Sequence, residues 1–189
     1  MKQKRCHWAR GDDFYIEYHD REWGVPIHDD DRLFEFLVLE GFQAGLSWHC
    51  VLRKRENFRK AFDGFKAEKV AKYGERKVAS LMQDAGIIRN RSKILATVAN
   101  AQAFLQVKEE FGSFDDYIWG FVGGKPIVNK WKNGREMPAK TALAEKISDD
   151  LKARGFRFVG PTIVYSHMQA TGMVNDHLVS CYRWKEVLG

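Results

Sequence analysis

The sequence predicts an all-α protein of 189 residues. Three observations carry that expectation. Leu33 to Leu39 contains one polar residue, Glu35, which reads as a helix buried over most of its circumference. Ile94 to Val107 has the spacing of a clean amphipathic helix. No segment sustains the alternation of a convincing strand. Composition is that of a soluble globular chain, with 44% hydrophobic and 30% charged residues. The net charge of +6 is compatible with a polyanionic partner. Cys6, Cys50 and Cys181 are an odd count set far apart, a poor disulfide framework, so the chain reads as cytoplasmic. It lacks both a run of 18 apolar residues and a signal-peptide pattern, which disfavours membrane and secreted roles.

The basic segment Lys2 to Arg10 precedes Asp12 and Asp13, which can cap a helix through Phe14, Ile16 and Tyr18. Asp20 to Pro26 is a loop signal. Asp29 to Asp31 start the long buried helix, which delivers Glu40 to the glycine-punctuated bend Gly41 to Gly45. A second helical pattern follows Trp48 and ends among Arg53, Lys54, Arg55 and Arg59. Lys66 to Lys72 and Glu75 to Ala85 read as shorter helices divided by Gly74. Asp84 to Lys93 turns tightly into the Ile94 helix, and Phe114 to Val122 forms another. Gly123 to Pro138 is the least regular stretch, a long loop joining two halves, with Trp131 alone among basic residues. Thr141 to Arg154 is a helix stopped by Gly155, and Phe156 to Pro161 is an extended bend. Thr162 to Thr171 resumes a helix that Gly172 ends, and Asn175-Asp176-His177 opens a final helix toward Trp184.

Three constellations can carry chemistry. Glu40 at the end of a core helix and Trp48 just beyond the bend could face one cavity, which would suit a flat base with exocyclic donors. Alternatively Glu40 binds backbone N–H groups at the bend and Trp48 is ordinary core. His177 and Cys181 are four apart, one turn along a helix, and Cys6 and His19 are near neighbours at the other terminus. Together they offer a closed Cys2His2 set of the kind that holds a structural zinc. The other reading is two unrelated buried cysteines and solvent-facing histidines. The turn Gly86-Ile87-Ile88-Arg89-Asn90-Arg91-Ser92-Lys93 looks like a helix-hairpin-helix, where backbone N–H groups receive a DNA phosphate. Arg89, Arg91 and Lys93 would add affinity by counterion release. Its single glycine is one short of the usual pair, so a solvated interhelical turn stays open. Between Asp84 and Glu109 there is no carboxylate, and no nucleophile–base pair stands out.

Five separated strings resemble the DNA-3-methyladenine glycosylase I family over about residues 5 to 182. They are Cys6-x-Trp8, Tyr18-His19-Asp20-x-Glu22-Trp23-Gly24-Val25-Pro26, Leu39-Glu40-Gly41-x-Gln43-Ala44-Gly45-Leu46-Ser47-Trp48, Gln83 to Arg89, and Phe156-x-Phe158-Val159-Gly160 through Asn175-Asp176-His177. The resemblance implies a helix-hairpin-helix lobe, about residues 29–122. A second lobe, about 1–28 plus 139–189, would join both termini around one structural zinc on Cys6, His19, His177 and Cys181, remote from catalysis. Residues 123–138 would be the connecting loop. The family lacks the catalytic Asp of related enzymes, which agrees with the carboxylate-free stretch. It also implies a base pocket of Glu40, Trp48, Tyr18, Trp8 and Tyr15, in which Trp48 stacks on the base and Glu40 accepts from its edge. Gly45 and Leu46 would wedge into the duplex. The implied activity is hydrolysis of 3-methyladenine from double-stranded DNA carrying alkylated bases, by a monomer without lyase chemistry. A different class remains: a zinc-stapled module that binds damaged or bent DNA without catalysis. His167 stands where the family pattern leads one to expect Phe. His7 is a rival ligand beside Cys6, and Cys50 reads as a small buried hydrophobe.

Overall fold

Helix α2 (Asp30–Gln43) is the axis of this computed structural model, which describes residues 3–187. Lys2 of the basic segment therefore lies outside the described residues. Asp29 caps α2 by accepting from the Arg32 amide at 2.9 Å, and Asp30 and Asp31 oppose the positive end of its dipole. Residues 33–42 of α2 are all buried, as the apolar run requires.

Before it comes α1 (Asp13–Arg21); after it come α3 (Trp48–Arg53), α4 (Arg55–Ala61), α5 (Ala67–Val70) and α6 (Glu75–Gln83). The long α7 (Arg91–Phe111) and α8 (Phe114–Gly120) complete this half. Ser47, Asn90 and Ser113 cap α3, α7 and α8 through their side chains. Phe42, Phe58, Phe62 and Phe65 form a ladder of buried rings beneath α2. The remaining helices are α9 (Ala142–Ala153), α10 (Pro161–Ala170) and α11 (Arg183–Glu186). Helix α10 packs on both α2 and α9, so the two halves share one core. Among the described residues no helix is long and apolar enough to cross a membrane.

The all-α expectation needs one correction. Strand β1 (Ile127–Val128) pairs in parallel with β2 (Val174–Asn175), in the middle of the expected loop. Two residues per strand are too few to leave an alternating pattern. Just before β2, Gly172 has φ +74°, and a Cβ there would lie 2.4 Å from the Pro26 nitrogen, so only glycine lets the chain pass the Val25–Pro26 backbone.

The final helix is also corrected. Residues 176–182 are turns, and only Arg183–Glu186 is helical. Asn175 accepts from the His177 amide through its side chain, a local turn that competes with helix formation. The expected Lys66 to Lys72 helix shrinks to the single turn of α5, preceded by a 3-10 turn at Asp63–Phe65.

Candidate active site

Five sequence-predicted residues, Trp8, Tyr15, Tyr18, Glu40 and Trp48, line one cavity of about 190 Å³. Space of that size corresponds to roughly six water molecules. Helix α2 brings Glu40, the first turn of α3 brings Trp48, and α1 brings Tyr15 and Tyr18. The Tyr18 and Trp48 rings are tilted at 5.7 Å, and Phe36 backs Trp48 near-parallel at 6.4 Å.

Tyr18 Oη, Glu40 Oε2 and Trp48 Nε1 are all buried without a hydrogen-bond partner. Buried polar atoms are normally satisfied, and an orphan costs about 1–3 kcal/mol. Three orphans around one cavity mark a place where a polar ligand completes the bonding. Burial pushes the Glu40 carboxyl well above the usual carboxylate range. Burial first, and then the Glu40 charge, also raise the Tyr18 hydroxyl. Glu40 thus finds no bonds in backbone N–H groups at the bend.

Sequence reasoning missed Trp23, Gln43, Met137, Ser166 and Gln169 as wall residues. Trp23 and Gln43 stand inside the quoted strings, and Ser166 and Gln169 are three apart on α10. Met137 carries no signal.

The bend beside the cavity has Gly45 at φ +78°, and Leu46 is exposed at 43%. Lys93 does not sit where its expected DNA role requires. It is buried, and Nζ donates to the carbonyls of Phe42 at 2.8 Å and Ala44 at 2.6 Å. An ammonium at the C-terminal end of α2 satisfies carbonyls that the helix leaves open. It therefore fixes the bend rather than adding surface charge. Arg89 and Arg91 are exposed, with Arg91 paired to Glu75. At the Gly86 turn, the Gly86 amide donates to Asp84 at 2.7 Å, while Lys54 Nζ donates to the Ala85 and Gly86 carbonyls.

The ligand atoms of Cys6, His19, His177 and Cys181 lie within 4.8 Å of one another, and all four residues are buried. Cys6 Sγ is 3.6 Å from His177 Nδ1, while Cys181 Sγ is 3.5 Å from His19 Nε2 and 3.7 Å from His177 Nδ1. For a tetrahedral ion with bonds of about 2.3 Å to sulfur and 2.0 Å to nitrogen, sulfur and nitrogen stand about 3.6 Å apart. The outer ring nitrogens are also placed: His19 Nδ1 meets Asp20 at 2.8 Å, and His177 Nε2 meets the Trp23 carbonyl at 2.9 Å. The cluster can hold a metal ion. Its neighbours Cys6, then His177 and His19, hold the Cys181 thiol well below the usual thiol range.

The cluster is not remote from the cavity. Trp8 lies edge-on to His19 at 5.1 Å and Trp23 edge-on to His177 at 4.7 Å, and both indoles line the cavity. His7 is exposed over Gly134, away from the cluster. Cys50 is half-buried rather than buried, because the first turn of α3 lies at the surface.

A helical fold with an aromatic cavity, a lone buried carboxyl in its wall and a Cys2His2 cluster behind it defines a protein that receives a flat polar heterocycle. The model of the Methyladenine glycosylase family matches residues 8–184, and the chain belongs to that family. It is 51% identical over 178 residues to DNA-3-methyladenine glycosylase 1 of Escherichia coli K12, covering 94% of this chain and 95% of the relative. A crystal structure of 3-methyladenine DNA glycosylase I superposes with a TM-score of 0.92 at 47% identity, covering 95% of this chain and 98% of the other. A crystal structure of a single-residue variant of another 3-methyladenine DNA glycosylase I, in complex with 3-methyladenine, also gives 0.92, at 36% identity over 94% and 96% of the two chains.

Proposed function

We propose that the chain is a DNA glycosylase that hydrolyses the N-glycosidic bond of 3-methyladenine in alkylated DNA. The observation that carries the site assignment is the trio of unpaired polar atoms, Tyr18 Oη, Glu40 Oε2 and Trp48 Nε1, around one aromatic cavity. The damaged nucleotide swings out of the duplex, at a cost of a few kcal/mol, and its base enters the cavity. Methylation at N3 leaves the purine cationic. Trp48 offers it a π face, and Glu40 offers it an acceptor.

An opposite charge favours the ionised carboxylate, so a cationic base reverses the effect of burial on Glu40. Water adds to the sugar anomeric carbon as the bond to the base breaks. The bonding electron pair stays with the base and neutralises it, and water yields its proton to solvent. Because the cation is already a good leaving group, no protonation of the base is needed. That is consistent with the absence of a carboxylate from Ala85 to Lys108. Among the described residues no lysine lines the cavity to form a Schiff base, so the product is an abasic site without strand cleavage.

In this reading the protein works as a monomer on double-stranded DNA. Gly45 and Leu46 enter the gap, and the Gly86 turn with Arg89 and Arg91 receives the backbone as a helix-hairpin-helix within residues 29–122. Cys6, His19, His177 and Cys181 hold one zinc, which staples residues 1–28 to 139–189 and thereby seats Trp8 and Trp23 in the cavity wall. A binding module without catalysis gives no reason to leave Glu40 and Trp48 unpaired.

The test is release of bases from methylated duplex DNA, separated by chromatography, for wild type and Glu40→Ala. Selective release of 3-methyladenine by wild type, lost in the variant, supports the reading. DNA binding without release overturns it. Elemental analysis of folded protein giving no zinc would overturn the metal assignment alone.

A further inference from the structure

Asp176 is fully buried, and four donors converge on its carboxylate. Asn129 Nδ2 and Trp131 Nε1 each donate to Oδ1 at 2.7 Å. Tyr165 Oη and Gln169 Nε2 donate to Oδ2 at 2.5 and 2.8 Å. A carboxylate accepts and never donates, so it decides the orientation of the Gln169 amide: nitrogen toward Asp176, oxygen away. That nitrogen also contacts Met137 Sδ at 3.1 Å. The amide oxygen accepts from no group among the described residues, and Gln169 lines the same cavity as Glu40.

We infer that Gln169 reads the base: its amide oxygen, held in place by Asp176, accepts a hydrogen bond from the exocyclic amine, beside the bond that Glu40 accepts. This rests on the glycosylase reading and extends it to specificity. An exocyclic amine has two protons, and the cavity wall then offers two acceptors for them. A purine carrying an oxo group at that position has no proton to give and would set its oxygen against the Gln169 oxygen. Gln169 thus selects amino- over oxopurines, and Asp176 is a positioning residue that acts through it.

Asp176→Asn gives a test that a merely structural role does not mimic. The Trp131 indole can only donate, so the amide introduced by Asp176→Asn must keep its oxygen toward Trp131 and turn its nitrogen toward Tyr165 and Gln169. Gln169 then rotates to accept from that nitrogen and presents its own N–H to the cavity. Binding of free 3-methyladenine and free 3-methylhypoxanthine is measured by calorimetry for wild type, Gln169→Met and Asp176→Asn, with thermal melting as a check on folding.

The expected result is that wild type prefers the amino base and that Gln169→Met loses roughly two- to tenfold in affinity for it, one hydrogen bond's worth. Gln169→Met should bind the oxo base no worse than wild type and somewhat tighter, because the opposed oxygen is gone, and Asp176→Asn should shift the preference toward it. A folded Gln169→Met with wild-type affinity for both bases overturns the inference, whether or not Asp176→Asn folds. If wild type binds 3-methyladenine no better than buffer controls, the glycosylase reading falls first and takes this inference with it.

Discussion

Glu35 and Glu40 lie on the same helix, little more than a turn apart, and both are buried. Arg55 Nε and Arg59 Nε both donate to Glu35 at 2.7 Å. Burial pushes Glu35 up, but the bonds and charges of Arg55 and then Arg59 outweigh it and hold the carboxyl below the usual range. Burial pushes Glu40 up, and nothing opposes it. The same side chain is thus a structural strut at one position and an unmatched group at the next turn. Burial does not distinguish them. What distinguishes a site from a core here is the missing partner, and a ligand is what supplies it.

The largest way to break this contrast is to make Glu35 resemble Glu40. Arg55 is itself buried, lies over the Phe36 ring at 4.9 Å and also donates to Glu22 at 2.7 Å. Arg55→Met leaves two carboxylates without their shared cation, although Arg59 still reaches Glu35. Removing one partner of a buried pair costs about 3–5 kcal/mol. Urea denaturation at neutral pH should show a loss at the lower end of that range. A loss below about 1 kcal/mol would mean that Arg59 alone suffices.

His167 offers an intermediate case, a buried titratable group with one partner. Its Nε2 lies 3.2 Å from the Leu33 carbonyl, and burial lowers it to about 4 from an ordinary 6.5. The folded state then resists a proton that the unfolded chain accepts. Stability is complete above about pH 6.5 and drains away as pH falls toward about 4, by about 3 kcal/mol at most. His167→Phe should flatten this acid limb. Melting curves from about pH 7.5 to about pH 4.5 for both proteins check it, and parallel curves would refute it.

Much of this site was legible because its parts are local. Glu40 and Trp48 flank a bend that Gly45 makes possible, and Tyr15 and Tyr18 share one short helix. Cys6, His19, His177 and Cys181 were legible as a set of ligand types. The helical face expected of His177 and Cys181 is absent, because they converge through turns. The spacing of a helix and that of a chelating turn coincide at four residues. The Ser166 and Gln169 wall was not legible, because it depends on how α10 packs against α2, and no spacing within α10 announces its partner. Lys93 reads as surface charge beside Arg89 and Arg91. Only the fold shows that the carbonyls at the end of α2 need a donor there. Strand β1 escaped because Val128 pairs with Asn175, far along the chain.

Glu40→Gln sharpens the contrast in the other direction, by keeping the shape of the group and removing its titration. In wild type the unfolded chain ionises Glu40 in the ordinary carboxylate range, while the empty cavity holds it neutral to higher pH. Between those two values each rise in pH favours the unfolded state, so wild type loses stability there. Glutamine loses none. The variant's advantage over wild type should therefore be absent at about pH 4 and grow toward about pH 7. It is the smallest of the three effects, because the amide also buries donors that find no partner in the cavity. The same variant should release 3-methyladenine from methylated DNA more slowly, having lost the charge that the cationic base still attached to the sugar induces. Melting temperatures of the two unliganded proteins across that pH range decide the matter. A difference that does not change with pH would mean that Glu40 is already ionised in the empty cavity, and that some group satisfies it there.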